Sequence, residues 1–156
     1  MVTWGSTILL GLLGLILVSV SIEDARKREI ADWKNLAIAA LAPLWWWSTG
    51  LHLWPDVAIQ VALAAFVFVL FIGVFALGQM GGGDVKLIGA LALWLPAAAL
   101  FWMLALMAVL GGALTLLMLA GKWLRGDSRP LETPYGIAIA AATLVVIGEP
   151  IFNHFG

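Results

Sequence analysis

The sequence predicts an all-α polytopic membrane protein of six helices, with a short fourth helix and both termini outside. Three observations carry that prediction. The 156 residues are 63% hydrophobic and 11% charged, with mean hydropathy +1.07, well beyond the balance of a water-soluble domain. The apolar residues fall into six runs rather than one diffuse excess. All eight lysines and arginines lie in the connections on one side of those runs.

The first run, residues 3 to 22, spans roughly 30 Å as a helix, enough to cross a bilayer. Ser19-Val20-Ser21 loosely imitates a signal-peptide cleavage site. No basic residue precedes the run, however, and it exceeds the ~7–15-residue core of a cleaved signal, so it reads as a retained span. Runs at 34 to 50 and 57 to 78 follow. Pro96 separates a fourth run, 85 to 95, from a fifth, 97 to 121, because proline lacks the donor that would continue a helix. The fourth is about 16 Å long at 1.5 Å per residue and does not cross a bilayer alone. It requires either a preceding loop that dips into the membrane among protein, or a bilayer thinned locally. The sixth run is 135 to 153. No internal repeat is visible, and the connections are too short for a soluble domain, so residues 1–156 read as a single membrane domain.

Arg26, Lys27, Arg28 and Lys34 follow the first helix, Lys86 the third, and Lys122, Arg125 and Arg129 the fifth. The positive-inside rule puts these connections in the cytoplasm. Trp33 and Trp123 then fall near the inner interface and Trp4, Trp45, Trp46, Trp47, Trp54 and Trp94 near the outer one, where they read as interfacial anchors. A net charge of -1 gives no general attraction to nucleic acid. The absence of cysteine excludes disulfides, a thiolate nucleophile and Cys-ligated zinc or iron–sulfur clusters. His52 and His154 lie on the outer side without metal-ligand spacing, so neither metal nor cofactor is expected.

Gly81-Gly82-Gly83-Asp84-Val85-Lys86-Leu87 interrupts this apolar sequence with an acid that is costly to keep at a bilayer edge. Asp84 could serve as a helix N-cap. The three glycines ask for more, since together they imply an unusual backbone path or a close approach by another chain. The topology places Asp24, just beyond the first helix, at the same interface although it is 60 positions away. Two facing carboxylates cannot easily both ionise, so one keeps a proton while the other acts as a base. That pair can activate water and polarise a peptide carbonyl without metal or covalent intermediate. From the helix ends alone, Asp84 at an N-terminus is the base and Asp24 at a C-terminus holds the resting proton. Glu23, Glu29 and Asp32 read as ordinary acids of a charged loop, as do Asp127, Glu132 and Glu149. Asp56 reads as a cap of the third helix after Pro55.

These residues closely resemble type IV prepilin peptidases, the GxGD family of membrane aspartic proteases. In that family one catalytic aspartate follows the first helix and the other ends a Gly-x-Gly-Asp motif before the fourth. Asp24-Ala25-Arg26-Lys27-Arg28-Glu29-Ile30 is similar to the first-aspartate segment, with Ala31-Asp32 in place of Pro-Asn, and Pro134-Tyr135-Gly136 is similar to a Pro-aromatic-Gly element. The resemblance implies Asp24 and Asp84 as catalytic, with Gly82 and Gly83 admitting the substrate backbone. Gly81, Lys86, Pro134, Tyr135 and Gly136 are site-shaping candidates beside them. Lys86 is read as orienting a substrate carboxylate, contacting lipid phosphate or simply anchoring. The implied substrate is a prepilin or pseudopilin with its own membrane helix, whose short basic leader is cut at the cytoplasmic membrane boundary of a bacterial inner membrane. Pilus or secretion machinery is a further implied partner. The cysteine-containing segment associated with N-methylation in longer members is missing, so the chain is more similar to the short Tad or Flp-type peptidases, or to archaeal preflagellin peptidases.

Two other classes compete. A proton-coupled transporter predicts acids spread through the bilayer depth, whereas these lie at one face. A pilus or secretion assembly subunit predicts tolerance of Asp24→Asn and Asp84→Asn. A presenilin-like protease shares the glycine-aspartate element but carries its other aspartate inside a helix.

Overall fold

The computed structural model describes residues 4–126 and 133–155, with side chains through Gly148. Asp127, Arg129 and Glu132 lie outside the described residues, as do the side chains of Glu149 and His154. The described residues form six helices and no strand: α1 Trp4–Lys27, α2 Asp32–Thr49, α3 Ala58–Ala76, α4 Gly82–Ala92, α5 Ala97–Arg125 and α6 Tyr135–Phe155. An irregular turn, Leu53–Val57, leads into α3, and there Asp56 accepts the His52 N–H at 3.1 Å. Trp4–Lys27, Leu53–Ala76 and Ala97–Arg125 are each long and apolar enough to cross a membrane.

The first helix runs further than its apolar stretch. Nothing between Ile22 and Lys27 breaks a helix, and Arg26 and Lys27 complement its negative end, so Asp24 lies within the last turns rather than beyond them. The helix stops where Arg28 takes a positive φ of 56° and its N–H donates to Asp24 O at 2.9 Å. That left-handed position costs a non-glycine residue roughly 1–2 kcal/mol. Glu23 holds the reversal that follows. Its Oε2 accepts from Lys34 Nζ at 2.8 Å and from Ala31 N–H at 3.4 Å, while Lys34 also donates to Ser19 O at 3.1 Å. Glu23 is therefore a staple between α1 and α2, not the solvated loop acid that charge patterning suggested.

The short α4 sits at the centre, packed on α2, α3 and α6, while α6 packs in turn on α1 and α5. Leu17 of α1, Ile38 of α2, Leu87, Ile88 and Leu91 of α4, Met103 of α5 and Ile139 of α6 are fully buried where these helices meet. Phe66, Val69, Leu116 and Leu117 stay exposed on α3 and α5, as lipid-facing residues do.

An 11-residue helix that ends inside the bundle leaves its last carbonyls unpaired. Side chains of α2 and α3 resolve this. Trp46 Nε1 donates to Leu93 O at 2.8 Å and Trp45 Nε1 to Trp94 O at 3.1 Å, while Gln60 Nε2 lies 2.6 Å from both Ala92 O and Leu95 O. Trp94 is itself buried, stacked on Trp45 at 5.4 Å, with its Nε1 donating to Ile38 O at 2.8 Å. Two of the supposed interfacial anchors, Trp45 and Trp46, are thus internal caps, and a third, Trp94, is buried against α2. This is how a half-length helix is tolerated among spanning ones: its C-terminal end is buried in protein and hydrogen-bonded there.

Candidate active site

The glycine run enters α4 directly. Gly81 is the N-cap, extended at φ -72° and ψ 148°, and Gly82 and Gly83 already belong to the helix. None of the three has a positive φ, so the unusual backbone path is absent; the left-handed glycines are Gly50, Gly78 and Gly126. Close approach is what remains. A Cβ at Gly83 would meet Ile30 Cβ at 3.2 Å, and one at Gly81 would meet Asp84 Oδ2 at 3.2 Å. At the third helical position, Asp84 reaches back to accept the Gly81 N–H.

Asp24 meets the other end of the molecule. Its Oδ2 accepts the Ile137 N–H at 3.2 Å and its carboxylate also accepts from Gly136, both in the first turn of α6. A Cβ at Gly136 would stand 2.8 Å from Asp24 Oδ2, 2.9 Å from Asp24 Cγ and 2.9 Å from Ile30 Cδ1. Glycine is what lets the carboxylate reach those N–H groups. Ile30 therefore touches both aspartate-bearing regions, wedged between Gly83 of α4 and Gly136 of α6. Tyr135 packs on α5, where a Cβ at Gly111 would come within 2.8 Å of its Cε1. Thr115 Oγ1 lies 3.1 Å from Thr133 Oγ1 and closes the same corner.

Asp24, Asp84, Gly81, Gly82, Gly83 and Tyr135 line one cleft of about 980 Å³, with Lys27, Arg28 and Glu29 along its rim. Both carboxylates are buried, at 4% and 8% exposure, although they face this polar opening. Asp84 stands in the first turn of α4, outside the spanning helices. Burial, and then the charge of Asp24 nearby, push its carboxyl up to about 7 against the opposing Gly81 hydrogen bond. Burial acts against the charge of Asp24 too, as does the end of its own helix, but the positive end of α6 is docked on it with two N–H donors that Asp84 lacks. That second terminus comes from a helix more than a hundred positions downstream of Asp24.

Other candidates stand apart. Lys86 does not line the cleft but pairs at 2.7 Å with Asp32, which does, both exposed. Asp32 is thus paired rather than free. Pro134 and Gly136 do not line the cleft; Gly136 acts from behind Asp24, and Pro134 O accepts the Ile137 N–H at 3.3 Å. Ile30, Gly111, Glu23 and Lys34 were missed as positioning residues. No spacing rule marks them: Ile30 and Gly111 act through helices distant in sequence, and Glu23 and Lys34 through an ion pair across the α1–α2 turn.

A helical membrane fold that gathers two carboxylates from separate helices into one polar cleft defines a class, that of membrane proteins equipped for acid–base chemistry at their surface. Residues 11–116 match the type IV leader peptidase family, and the chain belongs to it. It is accordingly a protease of the leader-peptidase kind, working in a membrane setting. The match takes in Asp24 and Asp84 and ends before Tyr135 and Gly136. No curated protein and no solved structure matches the chain.

Proposed function

We propose that the protein is an aspartic endopeptidase that removes the short leader from Flp-like type IV prepilins or pseudopilins at the cytoplasmic face of a bacterial inner membrane. The observation that carries this reading is the convergence of Asp24 and Asp84, from α1 and α4, on one polar cleft with the charge of one acting on the other. The eight basic residues on one side of the helices support the cytoplasmic placement, with both termini outside.

In this reading Asp84 holds the resting proton and Asp24 is the charged base, the reverse of the order from helix ends alone. Asp24 takes a proton from water as the oxygen attacks the scissile carbonyl carbon, while the Asp84 proton is donated to the carbonyl oxygen. Collapse of the tetrahedral intermediate breaks the C–N bond, the amine leaves with the proton from Asp24, and Asp84 recovers its own. The products are a leader carboxylic acid and a pilin with a new N-terminal amine. The substrate's own membrane helix delivers the junction to the cleft by diffusion in the bilayer, and its polar leader enters from the aqueous side.

The test is incubation of the purified protein with a prepilin encoded beside it, followed by intact-mass spectrometry. One cut releasing the leader is expected from the native protein and none from Asp24→Asn or Asp84→Asn. Normal processing by both variants overturns the proposal.

A further inference from the structure

A second cavity, of about 740 Å³ and lined mostly by apolar residues, lies between α2, α3 and α4. It exists because α2 and α3 each pack on the short α4 and barely on each other, leaving α4 as the floor of an open groove. Leu36 and Ala39 of α2 form one wall, Val61, Ala65 and Phe68 of α3 the other, with Gly89 and Ala90 on the floor. Phe68 is seated on Gly89, where a Cβ would come within 2.6 Å of its Cδ2. With Phe68 covering Gly89, the small residues left on the lining are Ala39, Ala64, Ala65 and Ala90, which let a helix come close.

Lipid is the default cover for an apolar membrane face, and three observations argue for a protein occupant instead. Asp32 lines both this groove and the cleft that holds Asp24 and Asp84, so the two cavities adjoin. The cation at the groove mouth, Lys86, is paired with Asp32 at 2.7 Å, so this end of the groove carries a balanced ion pair rather than a lone positive charge. Asn35, also on the groove, donates through Nδ2 to Gly83 O at 3.1 Å, one residue from Asp84, while its Oδ1 is buried without a partner. An incoming backbone N–H can satisfy that acceptor, whereas a hydrocarbon chain cannot.

We propose that the groove between α2, α3 and α4 seats the first turns of the substrate's apolar membrane helix, so that the chain just before it passes Asp32 and lies across Asp84. This rests on the leader-peptidase reading and adds a binding surface to it. The groove then sets which bond is cut, by fixing the distance between the seated helix and the dyad.

Two measurements on the full-length protein in lipid vesicles test it. In Asp84→Asn, a photo-crosslinking amino acid at Leu36 or Ala65 is expected to capture an added prepilin through its membrane helix, and one at Leu117 on the lipid face of α5 is not. Equal capture at all three positions, or capture of lipid alone in the groove, overturns the proposal. In the otherwise native chain, Ala39→Trp and Ala65→Trp fill the groove. They are expected to lower kcat/KM for the membrane-anchored prepilin about tenfold or more, while cleavage of a soluble peptide spanning only the leader junction stays within about twofold. Loss of both activities together, or of neither, overturns the groove. A native protein that cuts neither substrate overturns the peptidase reading itself.

Discussion

Gly136 leaves Asp24 the space it occupies: a single methyl group there would stand 2.8 Å from Asp24 Oδ2 and 2.9 Å from Ile30 Cδ1. Neither neighbour is the free end of a flexible chain, since Asp24 is held by Ile137 N–H and Ile30 is wedged against Gly83. Gly136→Ala is therefore expected to push the carboxylate off the α6 terminus, and a displacement of about 1 Å costs on the order of 100-fold in rate. Gly11→Ala and Gly112→Ala, with nothing within 4 Å of the new Cβ, are expected to retain activity. Leader-removal rates at matched protein levels check this. Equal rates for Gly136→Ala and the two controls refute the positioning role.

The six helices were legible because lipid leaves so few ways to satisfy a backbone, and apolar runs plus proline at position 96 mark the segments directly. That Asp24 and Asp84 meet at one cleft was legible from charge in the wrong solvent and from motif. The helix terminus docked on Asp24 was not, because it lies more than a hundred positions downstream. The same limit hid the roles of Trp45 and Trp46. A tryptophan near an apolar end signals an interface by composition, and only the early stop of α4 turns it into a donor for stranded carbonyls. The glycine triplet signalled close approach but not by what: Asp84 lies against Gly81, Phe75 against Gly82 and Ile30 against Gly83, all within the same chain.

Replacing either aspartate with asparagine separates chemistry from packing. Asparagine keeps the size of the side chain and removes the acid–base function, which contributes typically 10²–10⁴-fold for each positioned group. Asp24→Asn and Asp84→Asn are both expected to bring leader removal below detection while the protein still accumulates in the membrane. Because Asp84 is predominantly protonated below pH 7, Asp84→Asn resembles its resting form and is expected to unfold no earlier than the native protein at pH 7. A large drop in Tm for Asp84→Asn refutes that protonation state.

The buried end of α4 depends on donors from its neighbours. Gln60→Leu removes the group that lies 2.6 Å from both Ala92 O and Leu95 O, and Trp46→Phe removes the donor to Leu93 O. Each buried carbonyl left unpaired costs about 1–3 kcal/mol, so both variants are expected to melt earlier in detergent, Gln60→Leu more so. Trp47→Phe is the control, since Trp47 is 83% exposed and is expected to change stability by less than about 0.5 kcal/mol. Thermal unfolding of the three variants in one detergent decides it. Indistinguishable melting of Gln60→Leu and Trp47→Phe refutes the capping account.

The pH dependence follows from Asp84. Its carboxyl titrates at about 7 in the folded protein against an ordinary 3.8, so the folded state binds the proton more tightly than the unfolded chain. This group's contribution to stability is fully present below about pH 4, falls as pH rises towards 7 and is lost above it. Native protein is accordingly expected to lose Tm between pH 4 and 8 relative to Asp84→Asn, whose side chain stays neutral throughout. Activity should fall on the alkaline side with a midpoint near 7, where Asp84 gives up the proton that polarises the carbonyl. The acid limb should belong to Asp24, because its protonation removes the base. Rates and melting temperatures across this range, for native protein and Asp84→Asn, test both limbs. A rate that stays level from pH 6 to 9, with parallel melting curves for the two proteins, overturns Asp84 as the resting acid.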